Sequence, residues 1–196
     1  MNAKMERKTN ETSVAVELDV CGEGKYEIET DFPFFSHMLE LLARYAMLDL
    51  NVKAAGDLQH HIVEDTGIVL GKALEEALGD RKGIKRFGFF VLPMDECLAR
   101  VAIDFSGRPF LGLRAGFSQE RVEGFETALV EEFFRAFSGS CKCTLQMDLL
   151  KGGNAHHEIE TLFKCFGKAL RMACEKDARF SGIPSTKGTL GGDKNG

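Results

Sequence analysis

The chain has 196 residues, which fits one or two compact domains, and its 44% hydrophobic content is enough to build a core. The net charge of −5 does not indicate the basic patch that nucleic-acid-binding proteins usually have. No apolar run approaches the ~20 residues of a membrane span. Because the polar residues 1–10 lack the apolar centre of a signal peptide, we expect a cytoplasmic protein.

Local patterning predicts strands and helices in alternation. Residues 13–20 and 26–30 alternate as strands on either side of a glycine turn, so we expect a hairpin there. The further predicted elements are helices at 35–45, 61–78, 126–137 and 156–175, and strands at 48–54, 88–92, 99–105 and 143–149.

Six cysteines are present, but no pair has CxxC spacing and no secretory segment precedes them. We interpret them as reduced thiols, mostly in the core. Cys141 and Cys143 are the only close pair, and at this spacing on a strand they would face the same way.

An internal repeat is the strongest pattern. His60-His61-Ile62-Val63-Glu64 recurs 96 residues later as His156-His157-Glu158-Ile159-Glu160, and Gly71-Lys72-Ala73-Leu74 recurs as Gly167-Lys168-Ala169-Leu170. Seven of fifteen ungapped positions are identical. This predicts a single globule of two similar halves, about 1–92 and 93–188, with a flexible tail over 189–196.

The repeated HHxxE frame suits a metal. Its first histidine and its glutamate lie at i and i+4, on one face of a helix, so they can present an imidazole and a carboxylate to one ion. The second histidine points about 100° away and is free to bind a second ion, with a group from the other half or another subunit. Imidazole and carboxylate without thiolate suit Mn, Fe or Zn. The candidate ligands are His60, His61, Glu64, His156, His157 and Glu160.

Basic residues beside glycine-rich turns form a second candidate binding feature. Arg86, Arg108 and Lys187 lie in or next to such turns, and Ser185 stands close to Lys187. Guanidinium forks, an ammonium, a hydroxyl and free loop amides together suit a phosphate. None of the turns is a Walker or dinucleotide fingerprint, and each basic residue taken singly fits a solvated loop charge better than a phosphate contact.

Taken together, these motifs resemble the imidazoleglycerol-phosphate dehydratase family over nearly the whole chain. The matching stretches are Arg7-Lys8-Thr9-Asn10-Glu11-Thr12, Phe34-Phe35-Ser36-His37-Met38-Leu39, Gly56-Asp57, His60-His61-Ile62-Val63-Glu64-Asp65, Pro93-Met94-Asp95-Glu96, Ser106-Gly107-Arg108-Pro109, Gly153-Asn154-Ala155-His156-His157-Glu158-Ile159-Glu160 and Pro184-Ser185-Thr186-Lys187-Gly188.

The resemblance implies an α/β (α+β) fold of duplicated half-domains, each a four-stranded sheet with helices on one face, in a ribosomal-S5-domain-2-like arrangement. It implies a homo-oligomer in which trimers build a 24-subunit shell with manganese, and no nucleic-acid or membrane partner. It implies two Mn ions per site, bound by residues of neighbouring subunits at positions matching His37, His60, His61, Glu64, His156, His157 and Glu160.

The implied reaction, a step of histidine biosynthesis, is loss of water from D-erythro-imidazole-glycerol phosphate to give imidazole-acetol phosphate. The substrate's imidazole serves as the electron sink, and metal on its nitrogen stabilises an imidazolate and a diazafulvene-like intermediate. The phosphate contacts match Arg86, Arg108, Ser185 and Lys187. Glu11 is the candidate acid/base, with Glu64 or Glu160 as helpers near the metals.

Three positions depart from the family pattern. Gln146 stands where the family usually has a ligating histidine, and Tyr45 stands where it has a histidine near the substrate. The loop from Asp57 to His60 holds only Leu58 and Gln59, fewer residues than the family loop. The departures leave open a working variant, or a divergent homologue that is inactive or acts on another imidazole or phosphate substrate. A non-catalytic metal-assembled shell protein and a dinuclear metallohydrolase are the rivals from other classes.

Overall fold

The computed structural model describes residues 1–190, so most of the predicted tail, residues 191–196, lies outside the described residues. Among residues 1–190, none of the helices combines the length and apolar character needed to cross a membrane. The elements in chain order are β1 Asn2–Lys8, β2 Thr12–Asp19, β3 Tyr26–Thr30, α1 Pro33–Ala46, β4 Asp49–Gly56, α2 Gln59–Leu78, β5 Phe87–Met94, β6 Cys97–Asp104, β7 Phe110–Arg114, β8 Arg121–Val122, β9 Phe125–Glu126, α3 Leu129–Cys141, β10 Thr144–Lys151 and α4 Ala155–Cys174.

The two halves share one topology. The first sheet has the order β1-β2-β4-β3 and the second the order β5-β6-β10-β7, and in each only the last pair is parallel. The predicted duplicated fold is confirmed. The boundary expected near residue 92 falls inside β5, which pairs with β6 of the second sheet, so the halves meet between α2 and β5.

The predicted hairpin between residues 13–20 and 26–30 is wrong. β3 pairs in parallel with β4 instead, while β2 pairs antiparallel with β4 on its other side. Parallel neighbours need a crossover connection, and α1 supplies it between β3 and β4. Alternation identifies a strand but not its partner, and the apolar face of α1 must be buried against the sheet.

The four helices form one layer between the two sheets. The helix α2 packs on β1 and β2 of its own half and on α3 of the other, while α4 packs on β5 and β6 and on α1. Glycines permit the close approach: a Cβ on Gly71 would lie 2.6 Å from the carbonyl oxygen of Phe137, and one on Gly167 would lie 3.1 Å from that of Leu42. Helix packing therefore explains the glycine of the repeated Gly-Lys-Ala-Leu segment.

Other predicted elements lie close to their observed positions, with exceptions. The third helix begins at Leu129 rather than at 126, because residues 125–126 form β9. Cys141 ends α3 and Cys143 precedes β10, so the two do not share a strand as expected. All six cysteines are free and five are buried, as interpreted from the sequence, and only Cys21 is exposed. Local patterning predicts none of the strands β1, β7, β8 and β9.

Gly71→Ala tests the helix contact. The added methyl would force α2 and α3 apart, at a cost of about 1–3 kcal/mol in the free energy of unfolding, even though alanine favours the helix by about 1 kcal/mol. The matched control is Gly139→Ala in α3, where nothing lies within 4 Å of the added Cβ, so stability should rise. Chemical denaturation followed by circular dichroism measures both. Equal stabilisation by the two substitutions would refute the packing explanation.

Candidate active site

The two HHxxE frames open α2 and α4 at the same end of the helix layer, and the β8–β9 hairpin lies between them. The side chain of Gln59, at the start of α2, donates to the carbonyl oxygen of Gly124 at 3.3 Å and accepts from the amide of Glu126 at 3.0 Å. On the other side, Nδ1 of His156 lies 2.9 Å from Oε1 of Glu123. The hairpin thus contacts the first turn of both helices.

The frame of α4 gathers three ligand atoms. His37, His156 and Glu160 each offer one ligand atom, and these atoms lie within 4.8 Å of one another. His37 comes from α1, which packs on α4. Asn154 caps α4 by accepting from the amides of His156 at 2.9 Å and His157 at 3.3 Å, which fixes the first turn that carries both rings.

Glu160 is kept ionised in this cluster. It is only 8% exposed, and burial alone would raise its pKa. The Lys164 ammonium, 2.5 Å away, together with His37 and His156, instead holds the pKa of Glu160 below its ordinary value. The sequence motifs did not single out Lys164. Its position four residues after Glu160 on a helix nevertheless indicates an ion pair between the two.

The second histidine of α4 has a different environment. Nδ1 of His157 lies 3.1 Å from Glu96 and 3.9 Å from Asp95, both in the turn between β5 and β6. These three residues form the other group of ligand atoms within 4.8 Å in the described chain. The backbone amide at Glu96 and the His157 ring hold the pKa of Glu96 below its usual value. Sequence motifs include Glu96 only as part of a stretch that matches the family.

The frame of α2 does not bring three ligand atoms together within residues 1–190. Nε2 of His60 lies 3.7 Å from Glu64, which follows from their i,i+4 spacing. Nδ1 of His61 lies 2.7 Å from Asp57 and 3.8 Å from Glu11. The hydrogen bond to Asp57 raises the pKa of His61 and lowers that of Asp57.

A buried carboxylate fixes the turn that carries Glu11. Asp65 accepts from Nε of Arg7 at 2.8 Å and from the hydroxyl of Thr12, on the two sides of the turn. The hydroxyl of Thr9 accepts from the amides of Glu11 at 3.1 Å and Thr12 at 3.0 Å. The Arg-Lys-Thr-Asn-Glu-Thr stretch therefore builds a rigid turn beside His61.

The predicted phosphate residues do lie together. Arg86, Arg108, Ser185 and Lys187 line one cavity of about 880 Å³, and no carboxylate is among its described lining residues. Arg86 is fixed by Asp104, at 2.7 and 3.1 Å, and donates to the carbonyl oxygen of Pro184 at 2.8 Å, which secures the loop carrying Ser185. The cavity is cationic and suits an anion.

This cavity and the histidine clusters lie at opposite ends of the second sheet. Arg86 immediately precedes β5, whereas Glu96, the contact of His157, follows its far end. Eight residues of extended strand from Phe87 to Met94 span about 23 Å. One small molecule therefore cannot contact both regions of a single chain.

The structure also shows the neighbours of Gln146 and Tyr45, two of the positions that depart from the family pattern. Gln146 pairs with Ala102 and Gly112 on the sheet face that points away from the helices, while its neighbours Leu145 and Met147 are buried beneath the helices. It cannot reach the cluster on α4 of its own chain. Tyr45 lies between two lysines of α4, with Lys164 and Lys168 each 5.5 Å from the ring centre.

Comparisons with known proteins agree with this architecture. The family model described as imidazoleglycerol-phosphate dehydratase matches residues 30–170. The chain is 50% identical over 190 residues to the imidazoleglycerol-phosphate dehydratase of Vesicomyosocius okutanii, covering 95% of this chain and 99% of that protein. It is 53% identical over 191 residues to that of Caldanaerobacter subterraneus, covering 96% and 98%.

Solved structures are similar as well. The crystal structure of imidazoleglycerol-phosphate dehydratase from Staphylococcus aureus has a TM-score of 0.84 and 42% identity, covering 90% of this chain and 100% of that one. The enzyme from Pyrococcus furiosus, in complex with (S)-C348, has a TM-score of 0.84 and 38% identity, covering 95% and 100%. The chain belongs to the imidazoleglycerol-phosphate dehydratase family.

Proposed function

We propose that this chain is a hydro-lyase that converts D-erythro-imidazole-glycerol phosphate into imidazole-acetol phosphate in histidine biosynthesis, with manganese as its cofactor. The observation that carries the proposal is the pairing, in a member of this family, of imidazole–carboxylate clusters with a cationic cavity. These are the groups needed to bind metal near an imidazole and to bind a phosphate.

The donor atoms suit manganese. His37, His156 and Glu160 offer two imidazole nitrogens and one carboxylate oxygen without a thiolate, which is a set typical of Mn, Fe or Zn rather than of a structural sulfur site. His60, His61, Glu64 and His157 supply the remaining proposed ligands, for two ions per site. Bound Mn²⁺ would act as a Lewis acid toward the substrate's imidazole.

The protein's own groups bind the substrate and move its protons. Arg108 and Lys187 bind the phosphate, Ser185 donates a hydroxyl, and Arg86 holds the loop around it. Glu11 exchanges the proton at the reacting carbon, because its rigid turn presents the carboxylate beside His61. Glu64 and Glu160, themselves proposed ligands, assist near the metals. The enol formed by loss of water then tautomerises to the ketone.

We propose that two or more copies build each site, in a homo-oligomer of 24 subunits assembled from trimers, without nucleic-acid or membrane partners. Support comes from the separation of about 23 Å between the cavity and the His157 region of one chain. Gln146 faces outward from the second sheet, on the same face as Phe89, which lies on the other side of Ala102 and is 65% exposed. This face is suited to meet a neighbouring copy.

The decisive experiment is turnover of imidazole-glycerol phosphate by chelator-stripped protein with and without Mn²⁺. We expect the ketone product only when Mn²⁺ is present, and hence that Gln146 and Tyr45 are compatible with catalysis. Absence of turnover at every Mn²⁺ concentration, from folded and assembled protein, would refute the assignment and favour a divergent or non-catalytic homologue. Hydrolysis of a generic phosphate ester would instead indicate a metallohydrolase.

Lys187→Ala tests the phosphate cavity. Loss of one charge-assisted contact is expected to raise KM by about 10–100-fold, because such a contact contributes about 1.5–3 kcal/mol. Lys82→Ala is the matched control, since Lys82 pairs with Asp80 outside the cavity. Steady-state kinetics with the phosphorylated substrate measure both variants. An unchanged KM for Lys187→Ala would remove this residue from the phosphate site.

Glu11→Gln tests proton transfer. Kcat should fall by about 10²–10⁴-fold, the usual contribution of a general acid or base, while Mn²⁺ affinity stays within a few-fold. Glu17→Gln, an exposed carboxylate on β2, controls for the loss of charge. Kinetics and Mn²⁺ titration are run on the same preparations. Retained kcat in Glu11→Gln would assign the proton transfer to another group.

A further inference from the structure

The β8–β9 hairpin contains a glutamate in a conformation that glutamate rarely adopts. Val122 pairs with Phe125, so Glu123 and Gly124 form a two-residue connection, and their φ angles are 50° and 81°. Two positive φ angles define the tight hairpin turn for which Asn-Gly and Asp-Gly are preferred. Gly124 fits this conformation, whereas a side chain at position 123 makes it unfavourable.

The Glu123 side chain is placed on one ring nitrogen of His156. Oε1 lies 2.9 Å from Nδ1, while the other nitrogen, Nε2, lies 3.2 Å from Glu160 in the cluster with His37. A carboxylate on one nitrogen of a histidine fixes the tautomer and the ring orientation, and leaves the other nitrogen to bind a metal. The unfavourable turn residue is thus the one that contacts a proposed ligand.

The β8–β9 hairpin is fixed by polar and apolar contacts, so it can hold the Glu123 carboxylate in place. Gln59 contacts the hairpin backbone at Gly124 and Glu126, one residue before the first histidine of α2. Phe125 is 2% exposed and packs on Phe34, whose ring in turn meets the His156 ring edge-on at 5.2 Å. The carboxylate is therefore presented from a fixed base, although its own side chain is exposed.

We propose that Glu123 is a positioning residue, which keeps Nε2 of His156 directed at the cluster formed with His37 and Glu160. The need for a carboxylate at position 123 accounts for the unfavourable backbone there, since such backbone outliers cluster at functional sites. The inference rests on the proposed function in one respect, since it takes this cluster as a Mn²⁺ site.

Two substitutions separate positioning from a structural role. Glu123→Asn relieves the backbone, because asparagine tolerates positive φ, but its shorter side chain withdraws the carboxylate from His156. The melting temperature of the metal-stripped protein should stay level or rise by roughly 2 °C, while Mn²⁺ affinity falls about 10–100-fold. Glu123→Gln keeps the strain and the length, and should weaken Mn²⁺ binding without any gain in melting temperature.

Glu126→Gln is the matched control, because it removes the same charge from the same hairpin, where Glu126 pairs with Arg121 and not with His156. Its Mn²⁺ affinity should stay within about twofold of the unsubstituted protein, as expected for a screened surface charge. Free Mn²⁺ is measured by its electron paramagnetic resonance signal, and melting by calorimetry of chelator-treated samples.

The outcomes are distinct. Unchanged Mn²⁺ affinity in both Glu123 variants overturns the role of Glu123 and leaves the proposed function intact. A drop of several degrees in the melting temperature of metal-stripped Glu123→Asn also overturns it, because the residue is then structural. If the unsubstituted protein binds no Mn²⁺, the metal part of the proposed function fails, and the positioning role fails with it.

Discussion

The close approach of helices from different halves is the constraint on which the candidate site depends. Gly167 lets α4 lie against α1, where an added Cβ would meet the backbone of Leu42 at 3.1 Å. That contact brings His37, on α1, into the cluster with His156 and Glu160, on α4. A bulkier residue would separate the two helices and with them the ligand atoms. The same glycine that serves core packing therefore sets the geometry of the cluster.

Duplication also places a carboxylate at the equivalent position of each half, but the two carboxylates differ in how closely they contact their histidines. Glu11 directly precedes β2 and Glu96 directly precedes β6, so the two occupy equivalent turns of the two sheets. Each lies beside the second histidine of its own half, at 3.8 Å from His61 and 3.1 Å from His157. His61 takes its closer contact from Asp57. Glu11 is therefore less tied to its histidine than Glu96, which suits its proposed exchange of protons with a substrate.

Much of the candidate site could be predicted because its signals are local. The spacing of the HHxxE frame fixes His60 with Glu64 and His156 with Glu160 once a helix forms, and the repeat predicts that both halves share one fold. Not all partners of those residues could be predicted in the same way. Glu123 contacts His156 through packing that no spacing rule encodes, whereas the pairing of Lys164 with Glu160 follows from their i,i+4 spacing. The pairing of β3 with β4 likewise depends on burying α1, not on alternation.

The position of Gln146 changes how that departure is interpreted. From the sequence, an amide in place of a ligating histidine suggests a weakened metal site. In the structure, Gln146 lies on the sheet face opposite α4, in a row with Ala102 and Gly112, and its carboxamide lies over Gly112. It cannot reach the α4 cluster of its own chain, so any part it plays in the proposed metal site must be in another copy. The cationic cavity and the histidine clusters lie at opposite ends of β5, and side-chain rotation cannot bring the two ends of a strand together. In the proposed assembly, metal binding and phosphate binding at one site then come from different copies, so association and catalysis would depend on the same contacts between copies.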